Sequence, residues 1–506
     1  MECTCIQLDE LPDKILMNIF NKLRNVEILY SLLDVNKRLH KIVNDSIFTS
    51  CLTLFERSTD DLYYSLNNSI LDRFCSKILP QIHDKIKCIN IESSSMECIL
   101  LSSSYPNLKE LGLYDLKIEN AKHLFIENTS LINIFKNQIS SLVIHITKSS
   151  EKYNTRNDIL ESIFTHIFCM FTNLQYLNFN PSLNLHQTIS MEISRLSFFS
   201  STLLELHINV GCFLDCLYLL DGHFNQLHTF HVNIYDIVLS NRLSMYNKNE
   251  LPNLKCFSLH CSKETYVYDE TIISLLHRMS NLETLDLHLI VGRKITFIDG
   301  NDLKKNIINH MTKLKKFTFN ICSNIICLHN QIDLISNEYI ENTFRDFKNY
   351  QIISSIDYFS KAEKGQCLIY TYPYNLKYYN NITNFFQGGL FKYVSEISLY
   401  DEHPFEHEFF LRITQSFPFM KKLSLINEKP QMNKNQNLSI IEYPHLIKLV
   451  LIEAHEDYIE QFLLDTKSSL SHNVQLFAEY WSLLKVTHNF RRDTTRINCS
   501  KVVFCT

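Results

Sequence analysis

Apolar residues at the start of the chain recur with the three- and four-residue spacing of helices. Three stripes are visible, and their members are Ile15, Leu16, Ile19, Phe20 and Leu23, then Val26, Leu29, Leu32 and Leu33, then Val35, Leu39, Ile42 and Val43. We expect Pro12 to open the first helix, because proline is tolerated in a first turn, and Asp13 to follow where a carboxylate suits the positive helix end. Three such short helices cannot bury this apolar surface among themselves, so a partner or the following domain must cover part of it.

A second pattern fills most of the remaining chain: an apolar residue with further apolar residues three and five positions later. Its copies begin at Ile86, Leu108, Ile139, Leu174, Leu203, Leu227, Leu254, Leu282 and Leu314, and later at Val394, Met420 and Leu446. Side chains alternate along a strand, so positions three and five point the same way. Each copy can bury its apolar side only against its neighbours. The pattern therefore predicts an α/β fold, a curved parallel sheet whose strands are joined by return helices such as 271–280.

The spacing fails between Cys322 and Tyr393, where we expect either degraded repeats or an insertion on one face. Residues 367–372 alternate like a strand, and Gly388-Gly389 marks a turn. After the last copy, residues 458–464 predict a helix. The tail from residue 473 is expected to close the sheet, with a last strand at 502–504.

Composition narrows the class of protein. The chain has 506 residues, 45% of them hydrophobic, and a net charge of −5, which suits two or more structural units and gives no basic block of the nucleic-acid-binding kind. Its 16 cysteines lack paired zinc spacing. The N-terminus does not read as a signal peptide, and no apolar run is long enough to span a membrane. We therefore expect reduced core thiols in the cytosol or nucleus, with no nucleic acid or membrane as partner.

The start of the chain resembles an F-box. The residues that carry the resemblance are Leu8, Leu11, Pro12, Asp13, Ile15, Leu16, Ile19, Phe20 and Leu23, then Leu32, Leu33, Val35 and Leu39. Leu39 stands where many members have tryptophan. The family docks the Skp-type adaptor of a cullin-based ubiquitin ligase, and the resemblance implies adaptor contacts from Leu11, Pro12, Ile15, Leu16, Ile19, Phe20, Leu32 and Val35. The alternative is an ordinary helical hairpin that caps the fold.

The recurring pattern resembles a leucine-rich repeat, since neighbouring copies from Leu174 to Leu314 lie 24 to 32 residues apart. The consensus asparagine is mostly missing, as in the irregular repeats that often follow an F-box. The resulting domains are an F-box at 1–50, a helical linker at 51–85, repeats at 86–321, the irregular stretch at 322–393, and further repeats with a C-terminal cap at 394–506. The alternative is a flat nucleotide-binding sheet, which the scarcity of glycine (8 residues) argues against.

Polar residues occupy the fourth and sixth positions of the copies, which should face away from the core. Such a face suits recognition of a polypeptide. The candidate target-binding residues are Asn178, His207, His231, His260, Asp286 and His288. Two of these histidines could pair on a metal, but no carboxylate or cysteine completes a set, so we expect no metal and no cofactor.

Signatures of catalysis are missing: the sequence has no nucleophile elbow, phosphate-cradling glycine loop or His-Glu-x-x-His motif. We therefore expect a non-catalytic substrate-recognition subunit of a Skp–cullin–F-box ubiquitin ligase, with adaptor, cullin and an unidentified target protein as partners. An alternative is an interaction scaffold whose F-box works outside any ligase. An enzyme would need a deep pocket with clustered titratable groups.

Overall fold

The computed structural model describes residues 11–58, 62–127, 135–147, 153–179, 188–190, 199–239, 250–293, 296–326, 335–347, 350–359, 361–372, 378–433 and 439–505. The chain forms two compact units. Unit 1 consists of Met1–Leu289 and Ile307–Phe317, and unit 2 of Ile290–Asn306 and Thr318–Thr506. Both combine helices with strands, and the strands of the larger sheet are mostly parallel, which confirms the predicted α/β class. No helix within the described ranges has the length and apolar character needed to cross a membrane.

Unit 1 begins with the three predicted helices. They are α1 (Asp13–Phe20), α2 (Asn25–Leu32) and α3 (Lys37–Val43), followed by a short helix at Ser46–Thr49. Pro12 precedes α1 and Asp13 lies in its first turn, as expected. The side chain of Asn36 caps α3 by accepting from the backbone N–H of Leu39. The Asn25 amide donates to the carbonyl of Cys51 at 3.0 Å, which joins α2 to the first strand.

Helix α1 does not present its apolar stripe as one surface. Leu16 and Phe20 are buried, and the Phe20 ring packs edge-on against Phe48 with 6.3 Å between centroids. Ile15 and Ile19 remain exposed on the other side of the helix. The stripe therefore splits into an inward half, which packs toward the short helix through Phe48, and an outward half that faces solvent.

The strands of unit 1 follow one another in sequence order across its sheet. They are β1 (Cys51–Arg57), β2 (Tyr63–Ser65), β3 (Cys88–Glu92), β4 (Glu110–Leu116), β5 (Ser141–Ile146), β6 (Tyr176–Phe179), β7 (Glu205–Cys212), β8 (Thr229–Asp236), β9 (Cys256–Thr265) and the first part of β10 (Thr284–Arg293). Their spatial order is β2-β1-β3-β4-β5-β6-β7-β8-β9-β10. β2 pairs antiparallel with β1, whereas the pairs from β1–β3 to β8–β9 are parallel.

Helices return the chain between these strands. The α-helices of unit 1 beyond the first four are Asn68–Arg73, Leu79–Ile82, Met96–Leu101, Ile118–Phe125, Tyr153–Met170, Phe213–Leu220 and Ser274–Leu276. Wider π-helical turns lie at Phe74–Ile78 and Tyr268–Ile273, and one at Lys304–Ile308 crosses the unit boundary. The return segment predicted at 271–280 is thus helical in its first half.

The predicted apolar positions form the core. Almost every first, third-following and fifth-following residue of the copies is buried, as in Leu174, Leu177 and Phe179. Leu314 is the exception and is half-buried. Parallel pairing sets equivalent residues of successive strands side by side, for example Leu206 against Phe230 and Phe230 against Phe257. The core therefore consists of rows of apolar residues, to which each successive strand contributes its equivalent residue.

A repeated backbone contact marks the entry into the strands of unit 1 from β3 onward. One carbonyl accepts the N–H groups of two consecutive residues in the next copy; that of Leu204 accepts from His228 and Thr229 at 2.8 and 3.0 Å. The carbonyls that do this belong to Ser50, Lys87, Lys109, Ser140, Gln175, Leu204, His228, Lys255 and Glu283. Since every copy satisfies the backbone of its neighbour, the copies are coupled by hydrogen bonds as well as by apolar packing.

A ladder of asparagine side chains adds a second link between copies, at a position that sequence reasoning did not single out. The residue just before the first leucine of four copies donates its amide to a backbone carbonyl of the preceding turn. The pairs are Asn107 to Asp84, Asn173 to Asn137, Asn253 to Asn225 and Asn281 to Pro252, at 2.6 to 2.8 Å.

Unit 2 begins its pairing with antiparallel strands. β11 (Lys316–Ile326) pairs antiparallel with β13 (Lys364–Tyr372), and β13 pairs antiparallel with β12 (Gln351–Phe359). The strand predicted at 367–372 is confirmed. Its neighbours run against it, so these strands of the irregular stretch do not continue the parallel pairing of the copies.

The remaining strands of unit 2 form a second, parallel sheet. They are β14 (Tyr378–Ile382), β15 (Glu396–Tyr400), β16 (Lys422–Ile426), β18 (Lys448–Leu451), β20 (Val474–Ala478) and β21 (Val502–Cys505), in that order; β17 (Ile441–Tyr443) and β19 (Ser468–Leu470) pair separately. β21 confirms the predicted last strand, and the glycines at 388 and 389 have positive φ, as a turn requires. The helices are Gly300–Leu303, Asn337–Thr343, His407–Ser416, Glu456–Leu463, Tyr480–Val486 and Arg496–Cys499, with a 3-10 turn at Asp493–Thr495.

The described cysteines are free, but not all of them lie in the core. Cys216, Cys261, Cys322 and Cys367 are buried, whereas Cys51, Cys98 and Cys169 are exposed. The expectation of core thiols is therefore wrong for the exposed three. The Sγ atoms of Cys75 and Cys98 lie 3.1 Å apart as thiols.

Unit 2 also buries a carboxyl group with incomplete hydrogen bonding. The Thr383 hydroxyl donates to Oδ2 of Asp357 at 2.8 Å, whereas Oδ1 has no partner among the described residues. Burial raises the pKa of Asp357 to about 6, helped by the nearby Asp401 carboxylate. The folded state therefore binds this proton more tightly than the unfolded state does.

We expect Phe20→Ala to destabilise unit 1 by about 3–5 kcal/mol, the usual cost of truncating a buried aromatic residue. The matched control is Ile19→Ala, which removes a side chain from the exposed side of the same helix and should change the unfolding free energy by less than about 0.5 kcal/mol. Urea unfolding followed by circular dichroism measures both variants. Equal effects at the two positions would contradict the split of the stripe.

We expect Asp357→Asn to stabilise unit 2 at pH 8 by about 1–3 kcal/mol, since the amide avoids the cost of ionising a buried acid. The raised pKa means that wild-type stability is complete below the unfolded-state value near 4 and falls as pH rises through about 6. The advantage of the variant should therefore disappear at pH 4. Unfolding midpoints at the two pH values measure it, and an advantage that is the same at both would show that ionisation is not the cause.

Candidate functional site

Two exposed isoleucine side chains lie on one side of α1, and an exposed leucine lies in the turn that follows the helix. Ile15, Ile19 and Leu23 lie four residues apart and are 45%, 42% and 51% exposed. We call them the N-terminal apolar row. The four-residue spacing places Ile15 and Ile19 above one another on one face of α1. Such a row is costly to leave in water and suits a helix-binding groove on a partner.

The other residues predicted to contact an adaptor divide into surface and core. Pro12 and Val35 are exposed, and Leu11 and Leu32 are at least partly accessible, so all four offer some surface. Leu16 and Phe20 offer none, because both are almost fully buried. The expectation of direct contact from these two is therefore corrected: they hold α1 in place. Leu8 lies outside the described residues.

Charged contacts fix the start of α1. The Arg38 guanidinium on α3 forms a salt bridge with Asp13 at 2.7 Å and also donates to the carbonyl of Leu11. The guanidinium of Arg73 lies over the ring of Tyr30 on α2, 4.7 Å from its centroid. The contacts of Arg38 hold Leu11 and the first turn of α1 in position before any partner binds.

The second candidate site is a row of polar side chains across the sheet of unit 1. Parallel register places Asn178, His207, His231 and Ser258 side by side on β6 to β9. The Ser258 hydroxyl donates to the Asp286 carboxylate at 3.1 Å, which extends the row to β10. All five are half-buried and alternate with core residues, as predicted.

The neighbouring row is less exposed than the sequence predicts. Asn209 and His288 are buried, so His288 is corrected from a surface position to an internal one. His260 and His288 meet edge-to-face with centroids 4.2 Å apart. Burial lowers the pKa of His260 to about 4 and that of His288 well below its usual value, so both rings are neutral at pH 7. Asn180, the β6 member of this row, lies outside the described residues.

One residue beside the polar row from Asn178 to Asp286 was not predicted from the sequence. Glu205 stands two positions before His207 on β7, and residues two apart on a strand share a face. Oε1 of Glu205 lies 2.7 Å from Nε2 of His207. The signal that could have revealed this contact is the pattern Glu205-x-His207 at the start of a predicted strand.

Glu205, His207 and His231 form a compact cluster. Each offers one ligand atom, and these atoms lie within 4.8 Å of one another. The two imidazole rings stack with centroids 4.3 Å apart and planes inclined by 14°. Burial lowers the pKa of His231, with a smaller contribution from His207, and the carboxylates of Glu205 and Asp286 oppose the shift.

A carboxylate beside two imidazoles can hold a divalent metal ion or move a proton, whereas the N-terminal apolar row has no titratable group and can only bind.

Comparison with known proteins found no match: the chain matches no protein-family model and no curated protein sequence.

Proposed function

We propose that the chain is the substrate-recognition subunit of a Skp–cullin–F-box ubiquitin ligase. In this proposal α1 to α3 are an F-box that docks the Skp-type adaptor, and the sheet of unit 1 is a leucine-rich-repeat-like surface that binds a target protein. Ubiquitin transfer is performed by the partners. The receptor contributes proximity, since it raises the effective concentration of a target lysine near the conjugating enzyme.

The observation that carries the proposal is the N-terminal apolar row. Ile15 and Ile19 stay exposed even though unit 1 offers a core to bury them, and the same helix does bury Leu16 and Phe20. Exposed apolar rows on a fixed helix are typical of docking surfaces. The row also lies within the motif that resembles an F-box, close in sequence to Leu11 and Pro12.

Two features of unit 1 support the repeat half of the proposal. Parallel strands follow in sequence order with their apolar positions stacked, and the double carbonyl contacts and asparagine ladder recur from copy to copy. Each copy contacts mainly its neighbours, which is the architecture of repeat proteins. The row from Asn178 to Asp286 then offers hydrogen-bonding groups in register for a polypeptide.

A second candidate function is an interaction scaffold whose F-box acts outside a ligase. The docking surface is the same in both cases, and the difference is whether the bound adaptor is joined to a cullin. A ligase receptor recovers adaptor and cullin together, whereas a scaffold recovers the adaptor alone. Proximity labelling with the proteasome inhibited then identifies targets, which accumulate only if they are degraded through this receptor.

We expect the double variant Ile15→Asp with Ile19→Asp to lose the adaptor and cullin in affinity purification. Truncating one anchor residue of an interface costs roughly 2–4 kcal/mol, so two changes should weaken binding to purified adaptor by more than about 100-fold. Both side chains are exposed, so the fold should persist, and circular dichroism checks this.

The matched control is Ile426→Asp with Ile452→Asp, two exposed isoleucines of unit 2 (43% and 61% exposed) that lie outside the helical module. It should recover adaptor and cullin like the wild type. Full adaptor binding by a folded Ile15→Asp, Ile19→Asp variant would refute the docking surface, and equal losses in both variants would mean that the effect is not specific.

A further inference from the structure

We propose that Glu205, His207 and His231 form a binding site for a divalent transition-metal ion of the zinc class. The proposal stands independently of the ligase function. Two imidazoles and one carboxylate are a ligand set that zinc uses in proteins, with ligand atoms about 2.0–2.2 Å from the ion. Tetrahedral geometry at that distance spaces any two ligand atoms roughly 3.3–3.6 Å apart. The three ligand atoms already lie within 4.8 Å of one another, so rotation of side chains can bring them to that spacing.

The strands fix the positions from which the ligands start. Glu205 and His207 are two residues apart on β7 and face the same way. His231 is the direct partner of His207 in the parallel register of β7 and β8. The backbone atoms of all three belong to hydrogen-bonded strands, so binding an ion orders side chains only.

Binding of the ion requires two existing side-chain contacts to change. The 2.7 Å contact between Glu205 Oε1 and His207 Nε2 needs a shared proton, which the ion displaces. The stacked rings, inclined by 14°, direct their in-plane lone pairs along nearly parallel planes. One imidazole must therefore turn about χ2, a torsion with a broad energy minimum, to aim its nitrogen at the ion.

The surroundings suit a coordinated histidine. Register places Asn178 directly beside His207, and the buried Oδ1 of Asn178 has no hydrogen-bond partner among the described residues. A coordinating imidazole donates its second ring N–H to an acceptor of this kind. On the other side, the Asp286 carboxylate, held by Ser258, adds negative charge that favours a cation.

Three protein ligands leave one tetrahedral position free for exchange. The side chains of Glu205 and His207 are 38% and 27% exposed, so the ion can be reached from solvent. This position accepts water or a ligand atom from a bound protein. The neighbouring pair His260 and His288 differs, because the described residues place no third ligand atom with it in such a cluster.

The test uses the full-length chain with Zn²⁺ and Co²⁺ as probes. Calorimetric titration should show one high-affinity equivalent of Zn²⁺ in the wild type, weakened by more than about 100-fold in His207→Gln and in Glu205→Gln, since loss of an outer-shell partner alone costs 10–100-fold. The matched control His260→Gln should bind like the wild type. The Co²⁺ form should give the intense visible bands of a tetrahedral site without thiolate charge-transfer bands, which excludes the cysteines.

Folded variants that bind Zn²⁺ as tightly as the wild type would overturn the site, as would a wild type that binds no equivalent. Thiolate bands in the Co²⁺ spectrum would place the ion on cysteines and overturn it as well. Adaptor binding, measured on the same variants, should not change, so failure of the metal site and failure of the docking surface are distinguishable.

Discussion

The constraint on which unit 1 depends is that no copy of its strand pattern can bury its apolar residues alone. Leu206, Phe230 and Phe257 lie side by side on successive strands, and all three are buried. This packing determines which way the remaining residues of each strand face. The positions between the core residues must face outward, and the parallel register must align them. The polar row from Asn178 to Asp286, and the encounter of His207 with His231, are consequences of apolar packing on the opposite face.

The N-terminal helices are too short to bury all of their own apolar residues. Three short helices share a small core, and α2 is joined to β1 through the Asn25 amide. Leu16 and Phe20 fill the available space, and Ile15, Ile19 and Leu23 are left in water. A partner that covers this row would complete the burial that the chain leaves unfinished. The proposed adaptor docking therefore depends on exposed apolar surface and requires no reacting group.

The sequence was sufficient wherever a periodic pattern was strong. Helices α1 to α3, the strand positions of the copies and the final strand at Val502 all follow from spacing, because burial on one face imposes that spacing. It was insufficient where tertiary packing decides whether a side chain is buried. Both Leu16 and Ile15 are apolar and helical, and only the tertiary packing, such as that of Phe20 against Phe48, shows which of the two is buried. His288 is polar at an alternating position but lies in a layer that neighbouring side chains cover. The contact of Glu205 was missed because the candidate residues were taken from the fourth and sixth positions of the copies, whereas Glu205 lies two residues before His207 on the same strand, at a second position.

The proposed ligase function depends most directly on docking of a Skp-type adaptor by the N-terminal apolar row. Calorimetric titration of the purified chain with purified adaptor, with no other component present, tests it most directly. We predict a one-to-one complex with a negative heat-capacity change, because binding removes apolar surface from water. A folded chain that gives no binding heat at several temperatures, and no complex on size exclusion at the same concentrations, would contradict it.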